Sequence, residues 1–456
     1  LTGDTGALQG DVVNQGVLRF DQNTDGAYNG TVSGAGVLEK TGTGVLTLSG
    51  INSHSGGTLV RGGGVSVATQ AALGSAALGL DGGALIVTGT GFTDTARQLQ
   101  LGAGGGALDV AEAGHTLTWN GALLGTGAFE KTGAGALLLT GANSFSGGLT
   151  VSGGTLTGAV ASLGGGDIVN NATLVIDQAT DAVFAGRLGG TGDMRKTGNG
   201  WLVLASDGAG FTGDTLVEQG GLSVNADWST SAFTVASGGN LGGDGRVGDT
   251  VIASGATLAA GNSIGTLTVA GDLTLASGSR LAVEVDPAGH DSDKIEVTGQ
   301  ASLAGSVMHV GNNGHYRPLS EYTFLSADGG ILGQFDAVSS GYAFLNPELL
   351  YGSNDVTLRL LRNDVAFASL AETENQHSVA AGVETLNSGD AAYRTVLTAN
   401  PADVTGLFSQ LSGDSLLAGL STGIQAQQGF SDTLRQRGGA LGGGSRAGLD
   451  RRLSLG

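Results

Sequence analysis

Cysteine is absent from the chain, and only four of its 456 residues are proline. Without cysteine the chain can form neither disulfides nor a thiol nucleophile. All four prolines lie at or after Pro287, whereas ordinary usage would place roughly fourteen in residues 1–286. Because proline cannot donate a hydrogen bond to a β ladder, this gap favours long, continuous ladders over residues 1–286.

Aromatic and basic residues are also scarce. Aromatics make up 5% of the chain, and 20 Lys and Arg stand against 40 Asp and Glu. The resulting net charge of −20 makes nucleic acid and anionic lipid poor partners. No apolar run approaches the roughly 18 residues of a membrane span, and the first residues do not resemble a signal peptide. We therefore expect a mature piece or fragment of a longer protein.

Glycine, by contrast, supplies 87 residues without the three-residue period of collagen. This composition fits either disorder or a structure that turns every few residues. Apolar residues alternate with polar ones in short runs such as 46–48 and 267–269, which is typical of strands and not of disorder. The sequence thus predicts short strands separated by glycine-rich turns.

One pattern occurs three times, beginning at Gly34, at Gly125 and, more loosely, at Gly190. Three of the four lysines, Lys40, Lys131 and Lys196, take the same slot in it. Their spacings of 91 and 65 residues are close to four and three turns of roughly 22 residues, the size of one β-helix coil. A lone unit cannot bury its apolar face, whereas stacked units can. We therefore predict an all-β, right-handed parallel β-helix of about thirteen coils and about 60 Å.

The later part of the chain changes in composition, so four regions are expected. Thr373 and Gln376 have the spacing of a helix capping box, and Pro401 opens a further helical segment. A longer helix is predicted to end near Arg437. The expected regions are a β-helix stalk over 1–290, a C-terminal cap or folding core over 291–362, a helical segment over 363–437, and a Gly/Arg-rich linker over 438–456.

The repeated pattern, in outline GxGxLEKTGxGxLxLSGxNxxSGG, resembles the autotransporter-associated β-strand repeat of bacterial passenger domains. Residues 255–272 resemble a segment late in that family's β-helix, 320–360 resemble its pertactin-like folding core, and 364–437 resemble the helical stretch before the translocator. The resemblance implies type V secretion and display at the surface of a Gram-negative bacterium, with retention or release. It also implies adhesion, virulence and an outer-membrane β-barrel of the same polypeptide, expected beyond Gly456.

Several motifs suggest chemistry, but none has the required context. Residues 261–265 match the G-x-S-x-G nucleophile elbow, which needs a strand-to-helix turn and an Asp and His that follow it. Gly243, Gly245 and Gly248 match a dinucleotide fingerprint without a βαβ unit. Glycine-rich chains give such matches by chance, so we interpret both as turns at the corners of the β-helix.

Metal and charge motifs are interpreted in the same way. Residues 21–26 resemble the start of an EF-hand loop, but Val32 stands where a bidentate Glu is required. The six histidines, 54, 115, 290, 309, 315 and 377, lack metal spacing, and His290 with Asp291 and Asp293 is expected in an exposed loop. Glu39 and Lys40 are expected to point to opposite faces, each paired with a neighbouring coil. We predict no catalytic, cofactor or metal site.

Three functions remain open. The first is a non-catalytic stalk that acts as an adhesin or self-association rod. The second is a stalk that presents an enzyme, such as a subtilisin-like serine protease, lying before Leu1. The third is a polysaccharide-acting β-helix enzyme, which requires clustered carboxylates with basic and aromatic residues along a groove. The scarcity of lysine and aromatics in residues 1–290 counts against the third.

Overall fold

Parallel strands stack into a β-solenoid of about 14 turns, followed by short α-helices, which confirms the predicted parallel β-helix. The structure is a computed structural model that describes residues 1–208, 210–286, 291–311 and 320–413. Each coil visits three faces in the same order, with a strand or a short irregular segment on each. Paired residues on adjacent coils lie 20 positions apart at Leu38 and Thr58, and 30 apart at Ile295 and Leu325.

Strands follow one another in chain order along each of the three faces, except that Asp355–Arg362 lies between Ser320–Ala327 and Leu345–Tyr351 at the end of the second face. The first face contains Thr2–Gly3, Val17–Asp21, Val37–Thr41, Thr58–Val60, Leu78–Leu80, Leu99–Leu101, Leu123–Gly125, Ala182–Phe184, Trp201–Leu204, Gly220–Val224, Gly239–Gly243, Thr257–Ala260, Arg280–Val285, Ser306–Gly311 and Ala337–Ser340. The second contains Gly26–Tyr28, Val45–Leu48, Gly64–Val67, Gly83–Val87, Gly106–Val110, Phe129–Thr132, Leu149–Val151, Ile168–Asn170, Leu188–Gly189, Asp227–Trp228, Arg246–Val247, Thr266–Val269, Lys294–Val297, Ser320–Ala327, Leu345–Tyr351 and Asp355–Arg362. The third contains Val12–Val13, Val32–Ser33, Asp94–Thr95, Thr116–Trp119, Ala136–Leu139, Thr155–Gly158, Thr173–Asp177, Asp193–Thr197, Thr215–Val217, Phe233–Val235, Thr250–Ile252, Leu273–Leu275, Ala301–Leu303 and Ile331–Gly333.

The core is a column of apolar side chains stacked from coil to coil. On the third face Leu117, Leu137, Leu156, Leu174 and Met194 pair in register, and each is buried. Outward residues alternate with them along each strand, as the period of two requires. The apolar alternation in the sequence therefore marks the interior of the solenoid.

Glycine at the first position of each repeat is required by close packing at a corner. Gly34, Gly125 and Gly190 have φ values of 95°, 120° and 105°. A Cβ atom at these glycines would lie 2.2, 2.0 and 2.1 Å from a carbonyl oxygen of the preceding coil. Both the left-handed backbone and the absence of a side chain are needed there.

The three repeats begin on three different faces, which corrects the expectation of whole turns between them. Their lysine-bearing strands are Val37–Thr41 on the first face, Phe129–Thr132 on the second and Asp193–Thr197 on the third. Each repeat is thus displaced by one strand, about a third of a turn, relative to the repeat before it. Coils of unequal length make this possible, because a spacing in residues does not fix a rotation about the axis.

After the last parallel coil the second face ends in antiparallel pairing. Strand Ser320–Ala327 pairs with Asp355–Arg362, which in turn pairs with Leu345–Tyr351. Tyr322 and Phe344 in this region are fully buried, so bulky side chains fill the end of the core. The reversal gives the final ladder edge a partner from its own chain.

Six short helical segments occur among the described residues: 3₁₀ helices Gln70–Leu73, Val160–Ser162 and Phe367–Leu370, and α-helices Glu374–Glu384, Ala391–Leu397 and Val404–Leu411. The predicted capping box is present, since the Thr373 side chain accepts from the Gln376 amide and the Gln376 side chain accepts from the Thr373 amide. The first α-helix ends at Glu384. The predicted helix toward Arg437 and the tail 438–456 lie outside the described residues.

Candidate functional site

The lysines of the repeats point into the solenoid and bind main-chain carbonyls. Lys131 is fully buried, and its Nζ donates to the carbonyl oxygens of Thr132, Gly133 and, on the next coil, Gly153, at 2.5, 3.1 and 3.1 Å. Burial lowers the pKa of Lys131 to about 8. Lysine therefore ties a glycine corner to the corner stacked on it.

The other two copies repeat this contact, which we call the lysine clamp. Lys196 donates to the carbonyl oxygens of Thr197 and Gly198, both at 2.8 Å, and to that of Gln219 on the next coil at 3.1 Å. Lys40 makes the corresponding contacts with the corner that follows it and with the neighbouring coils. Burial lowers the pKa of both amines. The prediction that lysine pairs with a neighbouring coil holds, but its partners are carbonyls of the corners.

The preceding residue of each repeat points to the face opposite the lysine, as predicted, and pairs with charges or hydroxyls of adjacent coils. Glu39 accepts from Arg19 Nε at 2.7 Å and from Arg61 Nε at 2.8 Å, one on each neighbouring coil. Glu130 accepts from the Ser152 hydroxyl at 2.6 Å. These contacts run along the axis and link successive coils.

The EF-hand-like segment forms a ladder to the next coil. Asp21 accepts from the Thr41 hydroxyl at 3.0 Å, and Asp25 accepts from the Val45 amide at 2.8 Å. Asn23 accepts from the amide at position 43. The later copy makes two of these contacts at the same distances, from Asp177 to position 197 and from Asp181 to position 201. Each carboxylate thus satisfies a donor one coil away.

Both glycine motifs lie at corners between strands. Residues 261–265 connect strands Thr257–Ala260 and Thr266–Val269, and Gly261 has a φ of 79°. Gly243 ends one strand and Gly248 follows the next, Arg246–Val247. Neither segment opens a helix, so the strand-to-helix turn that each motif requires is not formed at either corner.

The interpretation of Asp293 as part of an exposed loop is wrong. Its side chain is 3% exposed, its Oδ1 accepts from the Gly265 amide at 3.1 Å, and its Oδ2 accepts from the Glu284 amide at 2.8 Å. Burial raises the pKa of Asp293 to about 7. This carboxyl group holds the corner 261–265 against the end of strand Arg280–Val285. Asp291 is exposed, and His290 lies outside the described residues.

The described histidines lie apart from one another. His54, His115 and His309 are each buried, with a ring nitrogen 3.0, 2.9 and 2.9 Å from the Thr58 hydroxyl, the Phe92 carbonyl and the Ser340 hydroxyl. Burial lowers the pKa of His309 to about 4. His377 is exposed and His315 is outside the described residues. In the part of the chain that the structure describes, no three His, Cys, Asp or Glu are placed to hold a metal ion.

None of the helices within the described ranges is both long and apolar enough to cross a membrane.

Residues 38–67, 129–157 and 194–224 match the passenger-associated-transport-repeat family. Two extracellular serine proteases of Serratia marcescens are 34% and 32% identical to the chain over 245 and 217 residues, which are 50% and 45% of this chain. The adhesin BmaC autotransporter of Brucella suis biovar 1 (strain 1330) is 31% identical over 228 residues, or 48% of this chain. These matches cover 23%, 20% and 6% of the relatives' own lengths.

Proposed function

We propose, from the premise that this chain is an autotransporter passenger carrying passenger-associated transport repeats, that it serves as a non-catalytic stalk at the bacterial surface. In this role the solenoid is a rod whose outer surface adheres to other surfaces or to further copies of the chain. The barrel of the same polypeptide would place it at the outer membrane of a Gram-negative bacterium, retained or released.

The observation that carries this proposal is that the repeated polar residues form contacts between neighbouring coils. Lys131 binds carbonyls of two coils, Glu39 bridges two arginines, and Asp25 accepts an amide of the next coil. Each contact stabilises the stacking of one coil on another. A sequence that repeats such contacts is suited to building length, since each coil needs only its neighbours.

The relatives support the same role. Two of them are named as serine proteases and one as an adhesin, yet all three resemble about half of this chain. Similarity to proteins with such different names is better explained by a shared support than by a shared reaction.

The later regions have separate parts in this proposal. Residues 291–362, with their antiparallel end, would cap the solenoid and start its folding. Residues 363–437 would lead toward the barrel, and 438–456 would be a linker. Deleting residues 291–362 should leave the remaining coils sensitive to protease if this region directs folding.

A second role has support from the two protease relatives. In it the stalk presents a serine protease carried elsewhere on the same polypeptide. The two roles differ in whether the native polypeptide carries a catalytic region outside this chain. The polypeptide must therefore be isolated whole to distinguish them.

The test combines an intact mass, sequencing of both ends and labelling with a fluorophosphonate, which reacts with active serine hydrolases. The stalk role predicts no label on peptides from residues 1–456, together with loss of adhesion or aggregation when the gene is removed. Label on a separate catalytic region would establish the second role. Label within residues 1–456 would overturn both.

A further inference from the structure

A cleft of about 330 Å³ opens on the outer side of the first face, between strand Trp201–Leu204 and the corner 261–265. Its floor is formed by Gly242, Ala259 and Ala282, which pair in register on three successive strands. Because these three outward residues are small, the outer surface of the sheet forms a depression here, which larger side chains would fill.

Trp201 forms one end of the cleft and differs from the other tryptophans of the chain. It is 38% exposed, whereas Trp119 and Trp228 are fully buried. The same slot holds Val45 and Ala136 in the other two repeats, so the solenoid does not require an indole there. An exposed tryptophan at a position that tolerates alanine is best explained by a contact outside the solenoid.

The packing of Trp201 leaves one face of its ring free for a ligand. A Cβ atom at Gly221 would lie 2.1 to 2.4 Å from three atoms of the indole, among them both atoms of the ring fusion. These nearly equal distances place the glycine under the face of the ring. The indole therefore lies on the sheet as a platform, with the opposite face toward the cleft and solvent.

The wall of the cleft carries polar groups fixed by one another. The Ser223 hydroxyl lies 3.0 Å from Asn225 Oδ1 and 3.1 Å from Asn262 Oδ1. The Asn262 amide nitrogen donates to Asp244 Oδ2 at 3.0 Å. Glu284 lines the other side, beside the buried Asp293. Hydroxyl, amide and carboxylate groups thus surround the platform at set positions.

We propose that this cleft binds a neutral oligosaccharide, with one sugar ring stacked on the Trp201 indole and sugar hydroxyls bonded to Asn262 and Glu284. A pyranose offers an apolar C–H face with hydroxyls around its edge, which matches an aromatic platform with a polar wall.

Charge determines the class of sugar. Among the described residues that line the cleft, Glu284 and Asp293 are acidic and none is lysine or arginine. Together with the net charge of −20, this disfavours uronic acids, sialic acids and sulfated sugars. The inference goes beyond the stalk role and does not depend on it, because a stalk without this cleft would still span the same distance.

The test is isothermal titration calorimetry of the full chain with hexasaccharides of glucose, N-acetylglucosamine, xylose and mannose, and with hexagalacturonate as the acidic comparator. At least one neutral series should bind with a Kd of roughly 10 µM to 1 mM. W201A should weaken this binding roughly tenfold, whereas W201F, which keeps a stacking ring, should retain most of it. V251A, which alters an exposed valine on the third face, is the matched control and should bind like the wild type.

Two further variants test the same site if W201A does not fold. G221A should push the indole off its platform without removing it, and N262A should remove the amide of the wall; both should weaken binding. Titration with polysaccharide from the producing bacterium distinguishes a self glycan from a foreign one. Absence of binding to every neutral sugar at about 10 mM, equal binding by W201A, or preference for hexagalacturonate would overturn the proposal.

Discussion

Replacing Lys131 with methionine would test the lysine clamp inside the solenoid. The two side chains are similar in length and both fit an apolar interior. Methionine cannot donate, so the carbonyl oxygens of Thr132, Gly133 and Gly153 would lose a common partner. The variant also removes a buried positive charge.

The two effects on the free energy of unfolding oppose each other, so their sizes decide the net change. Losing a donor costs about 1 kcal/mol for each of three carbonyls, or about 3 kcal/mol together. Lowering the pKa of Lys131 from 10.5 to about 8 corresponds to about 3 kcal/mol for holding the charge in the interior. We therefore expect the two effects nearly to cancel at pH 7, so that K131M differs from the wild type by less than about 1 kcal/mol there.

The pH dependence follows from linkage. The pKa of Lys131 is lower in the folded chain than in the unfolded chain, so the unfolded chain binds more protons between about pH 8 and pH 10.5. Wild-type stability, relative to K131M, must rise with pH through this window, because the folded amine releases its proton first. The destabilisation caused by K131M should grow to about 3 kcal/mol near pH 10.5.

The assay is guanidinium unfolding followed by circular dichroism at several values between pH 7 and pH 10.5, comparing wild type with K131M. Lys294→Met is the matched control, since Lys294 is half-exposed and donates to Glu296 on its own strand. The change in unfolding free energy caused by K131M is compared at each pH with that caused by this loss of a lysine outside the solenoid interior. A K131M difference that stays flat or shrinks above pH 8 would refute the reasoning.

Two further predictions concern the core and the buried carboxyl group. L137D would place a charge in a dry interior and should lower the free energy of unfolding by more than about 4 kcal/mol, which would open neighbouring coils to protease. L138D, on the outer face of the same strand, should leave protease resistance intact. If L137D were as resistant as L138D, the assignment of Leu137 to the core would be wrong. Burial raises the pKa of Asp293 to about 7, so its contribution to stability is present below about pH 4 and is lost as the pH rises through 7. The wild type should therefore lose about 4 kcal/mol relative to D293N between pH 4 and pH 8, measured from thermal unfolding, and a gain over that range would count against a protonated Asp293.

The direction of the lysine side chain was available from the sequence. Leu38 and Lys40 are two positions apart on one strand, so a buried Leu38 implies an inward Lys40. Only the structure supplied its partners, because the carbonyls of a corner become an acceptor site when two coils are stacked. Sequence reasoning also placed Glu39 on the face opposite Lys40 but could not identify Arg19 and Arg61 as its partners.

Asp293 and Trp201 show what sequence patterns miss. Asp293 follows a polar stretch that looks like a loop, yet the corner 261–265 and Glu284 enclose it from the preceding coil and strand. Trp201 fills an ordinary outward slot of its repeat, and its setting depends on Gly221 and Gly242 of later coils. Neither setting leaves a signal in the local sequence.

The sequence by itself determined the class of fold, the alternation of inward and outward residues, and the corners, because these depend on chain periodicity and on the backbone freedom of glycine. Only the tertiary structure decided how far each repeat rotates about the axis, which carbonyls receive each lysine, and where small residues leave a cleft beside Trp201. These features arise between coils, from residues about 20 positions apart, and their alignment depends on the length of every coil between them.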